Sequence, residues 1–169
     1  MALSDQELQT LAAQLGECLL ALNMRLAAAE SCTGGWLAKI ITDLPGSSAW
    51  FNGSLVTYSN EAKQQILGVQ KRTLDEFGAV SDETVKEMSD GVLAHMDADV
   101  ALSISGIAGP GGGSDDKPVG LVWFGWGRRG KPVLSDSHIF EGDREAVRRQ
   151  AVEKALQLLL VMLECEPEE

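Results

Sequence analysis

Residues 27–36 read AAAESCTGGW, and this stretch contains the change from strand to helix around which the fold is organised. A short apolar run ends at Glu30, and residues 31–33 then supply a serine, a cysteine and a threonine. Two glycines follow, and after them apolar residues recur at helical spacing. A strand that leads directly into a helix is the repeating unit of α/β proteins.

The same alternation extends on both sides of this stretch. Helical spacing of apolar residues predicts helices at about 4–22, 36–41, 60–67, 81–96 and 147–162, and short apolar runs predict strands at 26–30, 51–59, 99–105, 119–126 and 133–140. The run 119–126 is apolar on both faces, which favours a place in the centre of the sheet. The pattern predicts one domain over residues 1–169, a three-layer α/β/α sandwich with a mixed, mostly parallel sheet. We expect the acidic tail from about residue 164 to be frayed.

Composition and charge exclude several functional classes. The chain has 169 residues and a formal net charge of -11, without the basic stripe that nucleic-acid binding requires. No apolar run approaches the roughly 18 residues of a membrane span, and the amino terminus lacks a secretory pattern, so we expect a cytoplasmic protein. His95 and His138 share no metal-binding spacing and the acidic residues are scattered, so we expect no metal site.

Ser31 is the first candidate for chemistry. It lies where the first backbone N–H groups of a helix are unpaired, and such donors can stabilise an oxyanion. The alternative is that Ser31 or Thr33 only caps the helix. Cys32 is the rival nucleophile, but no histidine or basic residue near it in sequence would lower the pKa of its thiol.

A nucleophilic serine needs a general base. The two histidines, His95 and His138, lie in a helix flank and in a hairpin strand, where packed or solvated side chains are usual. Lys63, near the start of a short helix, is the other candidate base. A lysine acts as a base at neutral pH only where burial or nearby positive charge lowers its pKa. Otherwise Lys63 is an ordinary surface residue.

Two further features could bind an anion. The glycine loop SGIAGPGGGSDDKP, residues 105–118, offers exposed backbone N–H groups, although it leads into a strand and matches no phosphate-binding fingerprint. The alternative is a flexible connector. Arg144 and Arg148 lie one helical turn apart and could hold a phosphate or pair with Glu141 and Glu145.

Four segments of the chain together resemble the CinA C-terminal domain family. They are residues 29–69, beginning AESCTGGW and including VTYSNEAK; 78–88, GAVSDETVKEM; 103–124, SISGIAGPGGGSDDKPVGLVWF; and 140–156, FEGDREAVRRQAVEKAL. Their order and spacing extend the resemblance over nearly the whole chain, from Leu8 to Leu163.

The resemblance implies roles for matched positions. Ser31 looks like an acyl-transfer nucleophile, Lys63 like its general base, and Tyr58 like a residue that orients or relays the proton. Two groups of substrate-binding residues are also implied: Thr33, Gly34 and Gly35 around the oxyanion, and Ser105, Gly106, Gly109, Gly111, Gly112 and Arg144 around a ribose phosphate.

The activity that the resemblance implies is hydrolysis of the carboxamide of nicotinamide mononucleotide, which gives nicotinic acid mononucleotide and ammonia without a metal or organic cofactor. It also leads us to expect a homodimer, whereas the net charge and the lack of a long apolar run lead us to expect no nucleic-acid or membrane partner. Two alternatives stay open: a catalytically silent nucleotide-binding member of the family, and an amidase for another small amide.

Overall fold

The computed structural model describes residues 2–163, which form six α-helices and a five-stranded sheet. The helices are α1 (Asp5–Ala21), α2 (Trp36–Thr42), α3 (Asn60–Leu67), α4 (Lys71–Phe77), α5 (Asp82–His95) and α6 (Arg144–Met162). The strands are β1 (Leu26–Glu30), β2 (Phe51–Val56), β3 (Val100–Gly106), β4 (Leu121–Arg128) and β5 (Leu134–Ile139), and a short 3-10 turn covers Ser47–Ala49. The tail that we expected to be frayed lies outside the described residues.

The sheet has the strand order β2-β1-β3-β4-β5. β1 pairs in parallel with both β2 and β3, whereas β4 is antiparallel to β3 and to β5. Four of the five strands therefore run in the same direction, which confirms a mixed, mostly parallel sheet. The prediction that residues 119–126 lie in the centre of the sheet was wrong, because β3 occupies the central position. β4 is nevertheless buried on both faces, since α5 and α6 both reach it.

Helices cover the two faces of the sheet and complete the three layers. The apolar face of α1, including Leu8 and Leu15, packs with α2 and α6 over one side of the sheet. On the other side, Val85 and Met88 of α5 pack over β1 and β3. These faces are the stripes that helical spacing predicted, because the driving force is burial of apolar area.

The helix α4 was missed in the sequence. Only Thr73 and Leu74 are buried in it, and the residue before it, Gln70, makes no side-chain cap. Without an apolar stripe or a capping residue, a seven-residue helix leaves no periodic signal.

The topology brings three chain segments together at one edge of the sheet. Since β2, β1 and β3 are neighbouring parallel strands, their carboxyl ends meet there. Ser31 follows β1, and Ser105 is at the end of β3. Lys63 is in the first turn of α3, which begins one short turn after β2. Open α/β sheets bind ligands at this edge. Among residues 2–163, no helix has the length and apolarity needed to cross a membrane.

Candidate active site

Ser31 and Lys63 meet at the edge of the sheet. The Nζ atom of Lys63 lies 3.0 Å from Oγ of Ser31, and it also lies 2.9 Å from the carbonyl oxygen of Thr57 and 3.2 Å from that of Tyr58. Lys63 is only 1% exposed and Ser31 is 7% exposed. The serine and its candidate base are therefore within hydrogen-bond distance in a site from which bulk water is largely excluded.

Burial lowers the pKa of Lys63 to about 8 from its ordinary value of 10.5. Within residues 2–163, Lys63 forms no ion pair that would oppose this effect. A neutral amine can donate to the two carbonyl oxygens and accept the hydroxyl proton of Ser31. At pH 7 about a tenth of the molecules hold this lysine in the neutral form that a general base requires, and the fraction rises with pH.

The helix that carries Lys63 fixes its position. Ser59 caps α3, with its side chain accepting a hydrogen bond from the backbone N–H of Ala62. The backbone N–H of Lys63 donates to the carbonyl oxygen of Ser59 at 3.1 Å. Lys63 is the fourth residue of α3, and its side chain is buried. The polar residues before it are typical of a helix that starts at the surface, so they gave no sign of this burial.

Glu30 fixes the turn that carries Ser31. Its carboxylate is fully buried and accepts hydrogen bonds from the side chain of Thr33 at 2.7 Å, from the backbone N–H groups of Leu37 and Ala38 at 2.9 and 3.2 Å, and from Ser54 at 2.8 Å. The residue at the N-cap of α2, Gly35, provides no side chain, so Glu30 takes over the capping role. The turn is thereby tied to both β1 and β2.

Cys32 is not poised as a nucleophile. Burial raises the pKa of its thiol to about 12 from 9.0, and the side chain is 5% exposed. Because the thiolate is the reactive form, this cysteine is inert at neutral pH. The two histidines are also elsewhere: His95 and His138 do not line the cavity at Ser31.

A cavity of about 320 Å³ opens beside Ser31 and Lys63, a volume at the lower end of the range for small-molecule sites. Nine of the twelve site residues expected from the sequence line it: Ser31, Tyr58, Lys63, Ser105, Gly106, Gly109, Gly111, Gly112 and Arg144. The other three do not line this cavity. Thr33 is fully buried against Glu30, and Gly34 and Gly35 line a separate depression.

Tyr58 and Arg144 form the outer wall of the cavity. Tyr58 is 62% exposed, and its hydroxyl lies 3.2 Å from Nη2 of Arg144. The same guanidinium donates to the carbonyl oxygen of Gly109 at 2.8 Å, so it joins α6 to the glycine loop. Ser105 is 1% exposed and donates to the carbonyl oxygen of Ala79 at 2.8 Å, which ties the end of β3 to the segment before α5.

The comparison with known proteins identifies the family. The sequence profile described as "CinA C-terminal domain" matches residues 8–163. This chain belongs to the CinA C-terminal domain family. The CinA-family chain is 54% identical over 157 residues to a protein from Escherichia coli K12 named nicotinamide-nucleotide amidohydrolase PncC, covering 93% of this chain and 95% of that one. A protein of the same name from Pseudomonas putida is 52% identical over 151 residues, with 89% and 94% covered.

Solved structures agree with the CinA-family assignment. A crystal structure described as competence damage-inducible protein A from Klebsiella pneumoniae superposes with a TM-score of 0.90 at 42% identity. The match covers 93% of this chain and 97% of that one. The three-layer α/β/α arrangement is therefore shared along almost the full length of both proteins.

Two residues that organise the site of this CinA-family chain were missed or misread in the sequence. Glu30 was treated only as the end of a strand, although a charged residue closing an otherwise apolar five-residue strand is a signal for a buried polar role. Arg148 was considered only for a phosphate or a surface ion pair, and it instead contacts the nucleophile turn.

In residues 2–163, no three His, Cys, Asp or Glu side chains come together as metal ligands.

Proposed function

We propose that this protein hydrolyses the carboxamide of nicotinamide mononucleotide to nicotinic acid mononucleotide and ammonia through a Ser31 acyl-enzyme. The observation that carries the proposal is the 3.0 Å contact between Ser31 and a buried lysine whose pKa is lowered to about 8. The names of the relatives from Escherichia coli and Pseudomonas putida supply the substrate class.

In the first half-reaction, Oγ of Ser31 attacks the carboxamide carbon while the amine of Lys63 takes the hydroxyl proton. A new C–O bond forms, and the carbonyl oxygen becomes an oxyanion. When the C–N bond breaks, Lys63 returns the proton to the leaving nitrogen, and ammonia departs. This leaves a nicotinoyl ester on Ser31 and a neutral lysine ready for the second step.

In the second half-reaction, water attacks the ester carbon. Lys63 takes a proton from the water and returns it to Oγ of Ser31 as the ester C–O bond breaks. The acid product then loses its own proton to solvent. The same two side chains therefore serve both steps, and the carbonyl oxygens of Thr57 and Tyr58 hold the Lys63 amine in place throughout.

The negative phosphate of the substrate must be held locally, because the net charge of the chain is -11. Arg144 borders the cavity and, among residues 2–163, forms no ion pair with a carboxylate. Its guanidinium and the backbone N–H groups of the glycine loop are the donors that we assign to the phosphate. The positively charged pyridinium ring of the substrate is attracted by the negative net charge of the protein.

The test is ammonia release from nicotinamide mononucleotide by the wild type and by Ser31→Ala. We expect turnover by the wild type and none above background by the variant, with both proteins folded by circular dichroism. His95→Gln and His138→Gln are matched controls for the choice of base and should keep full activity. Normal turnover by Ser31→Ala would disprove the serine mechanism. If the wild type releases ammonia only from another amide in a substrate panel, the proposed substrate is wrong and the serine mechanism applies to that other amide.

A further inference from the structure

Arg148 contacts the turn that carries the nucleophile. It lies in the second turn of α6, and its Nε donates to the carbonyl oxygen of Cys32 at 2.9 Å. Its Nη2 donates to the carbonyl oxygen of Thr33 at 3.2 Å. The planar fork of one guanidinium therefore holds two consecutive carbonyl groups directly after Ser31, a geometry that lysine cannot reproduce.

The positive charge of Arg148 is directed at this turn. In the described part of the chain, Arg148 forms no ion pair, whereas the adjacent Arg149 pairs with Asp5 at 2.6 Å and with Glu145 at 3.4 Å. Burial dominates the raised pKa of the Cys32 thiol, and Arg148 is the largest influence in the opposite direction. A negative charge that develops beside Cys32 is thus stabilised by this guanidinium.

The backbone geometry connects Arg148 to the oxyanion. In a planar trans peptide the C=O and N–H groups point in opposite directions, so the N–H of Thr33 points away from the guanidinium that binds the carbonyl of Cys32. Within residues 2–163, the N–H groups of Cys32 and Thr33 donate to no backbone acceptor, whereas the N–H of Gly34 donates to Ser31 at 3.0 Å. Cys32 lines the cavity beside Ser31, so the backbone directly after the nucleophile borders the space where an oxyanion needs donors.

We propose that Arg148 is a positioning residue that fixes and polarises the Ser31 turn so that its backbone N–H groups stabilise the oxyanion, and that it does not bind the substrate phosphate. The proposal rests on the amide hydrolysis proposed above. It predicts a loss in kcat and little change in KM, because the turn matters most in the transition state.

The experiment compares Arg148→Lys with Arg149→Ala in ammonia release from nicotinamide mononucleotide. Arg149 stacks on the same Trp36 ring, at 4.7 Å against 5.4 Å for Arg148, but makes no hydrogen bond to the Ser31 turn. For Arg148→Lys, kcat should fall about 10- to 100-fold, less than the ~10²- to 10³-fold loss on removal of an oxyanion donor. Its KM should stay within about threefold of the wild type, and Arg149→Ala should match the wild type.

A second variant separates positioning from folding. Arg148→Ala should lose at least as much kcat as Arg148→Lys, and guanidinium ion added at millimolar concentration should restore part of it. A raised KM with unchanged kcat in Arg148→Lys would overturn the proposal in favour of a phosphate contact. Equal losses in the Arg148 and Arg149 variants, or full activity of Arg148→Ala, would also overturn it.

A third readout is independent of the amide substrate. A fluorophosphonate labels Ser31 as its Oγ bonds to phosphorus, the P–F bond breaks, fluoride leaves and Lys63 takes the hydroxyl proton. Intact mass spectrometry should find this labelling about tenfold or more slower in Arg148→Lys than in Arg149→Ala. If the wild type labels at Ser31 but releases no ammonia, the proposed substrate is wrong and the role of Arg148 is still decided by the labelling rates.

Discussion

Replacing Lys63 by methionine should abolish turnover and at the same time stabilise the fold at pH 7. The side chain is 1% exposed, so the folded protein must bury an ammonium ion at this pH. A fall in pKa from 10.5 to about 8 corresponds to about 3 kcal/mol of destabilisation when the lysine is charged. The hydrogen bonds to the Thr57 and Tyr58 carbonyls offset about 1 kcal/mol each, which leaves a net gain of about 1 kcal/mol for Lys63→Met.

The pH dependence gives this prediction a definite sign. Because the folded pKa of Lys63 is below the unfolded one, the unfolded chain binds one more proton between about pH 8 and 10.5. The stability that Lys63 contributes therefore rises with pH through that window. Between pH 7 and 9.5 the wild type should gain about 2 kcal/mol in free energy of unfolding relative to Lys63→Met.

Urea unfolding of both proteins at pH 7 and at pH 9.5 measures these free energies. Comparing the two proteins cancels the titration of the other groups. A difference between wild type and Lys63→Met that stays constant with pH, or that moves in favour of the variant at pH 9.5, would refute the assignment of a depressed pKa to Lys63. Either result would also remove the physical basis for Lys63 as a general base.

Three further predictions follow from the same geometry. The wild-type kcat/KM for ammonia release should rise about tenfold per pH unit well below pH 8 and level off above it, as Lys63 loses its proton; a flat profile from pH 6 to 8 would contradict this. Cys32→Ala should keep kcat within about threefold in the same assay, because a thiol with a pKa of about 12 takes no part at neutral pH; loss of all activity in a folded variant would make Cys32 part of the chemistry. Gly91→Ala should lower the free energy of unfolding in urea by about 2 kcal/mol, because the added Cβ would overlap the backbone carbonyl oxygen of Leu67 in α3. The exposed neighbour Asp90→Ala should change that free energy by less than about 0.5 kcal/mol, and equal effects of the two substitutions would refute the close contact between α3 and α5.

The order of helices and strands was readable because it depends on local patterns. Apolar spacing predicted α1 at about residues 4–22, close to its observed bounds, and α3 has the predicted bounds, residues 60–67. Elements without an apolar stripe, such as α4, gave no signal. The family resemblance selected Lys63 over the two histidines, a choice that the residue pattern alone left open.

The sequence by itself determined the alternation of helices and strands and the acidic net charge, and its resemblance to the family marked Ser31, Lys63 and Ser105 as separate candidates. The strand order of the folded sheet decided that these three residues meet at one edge. Only the tertiary structure decided that Lys63 is buried 3.0 Å from Ser31, that Glu30 caps α2, and that Arg148 holds the carbonyl groups after Ser31. The physical reason is that helical and strand periodicity act over a few residues, whereas the pKa of Lys63 and the contacts of Arg148 depend on desolvation and on packing between segments far apart in the chain.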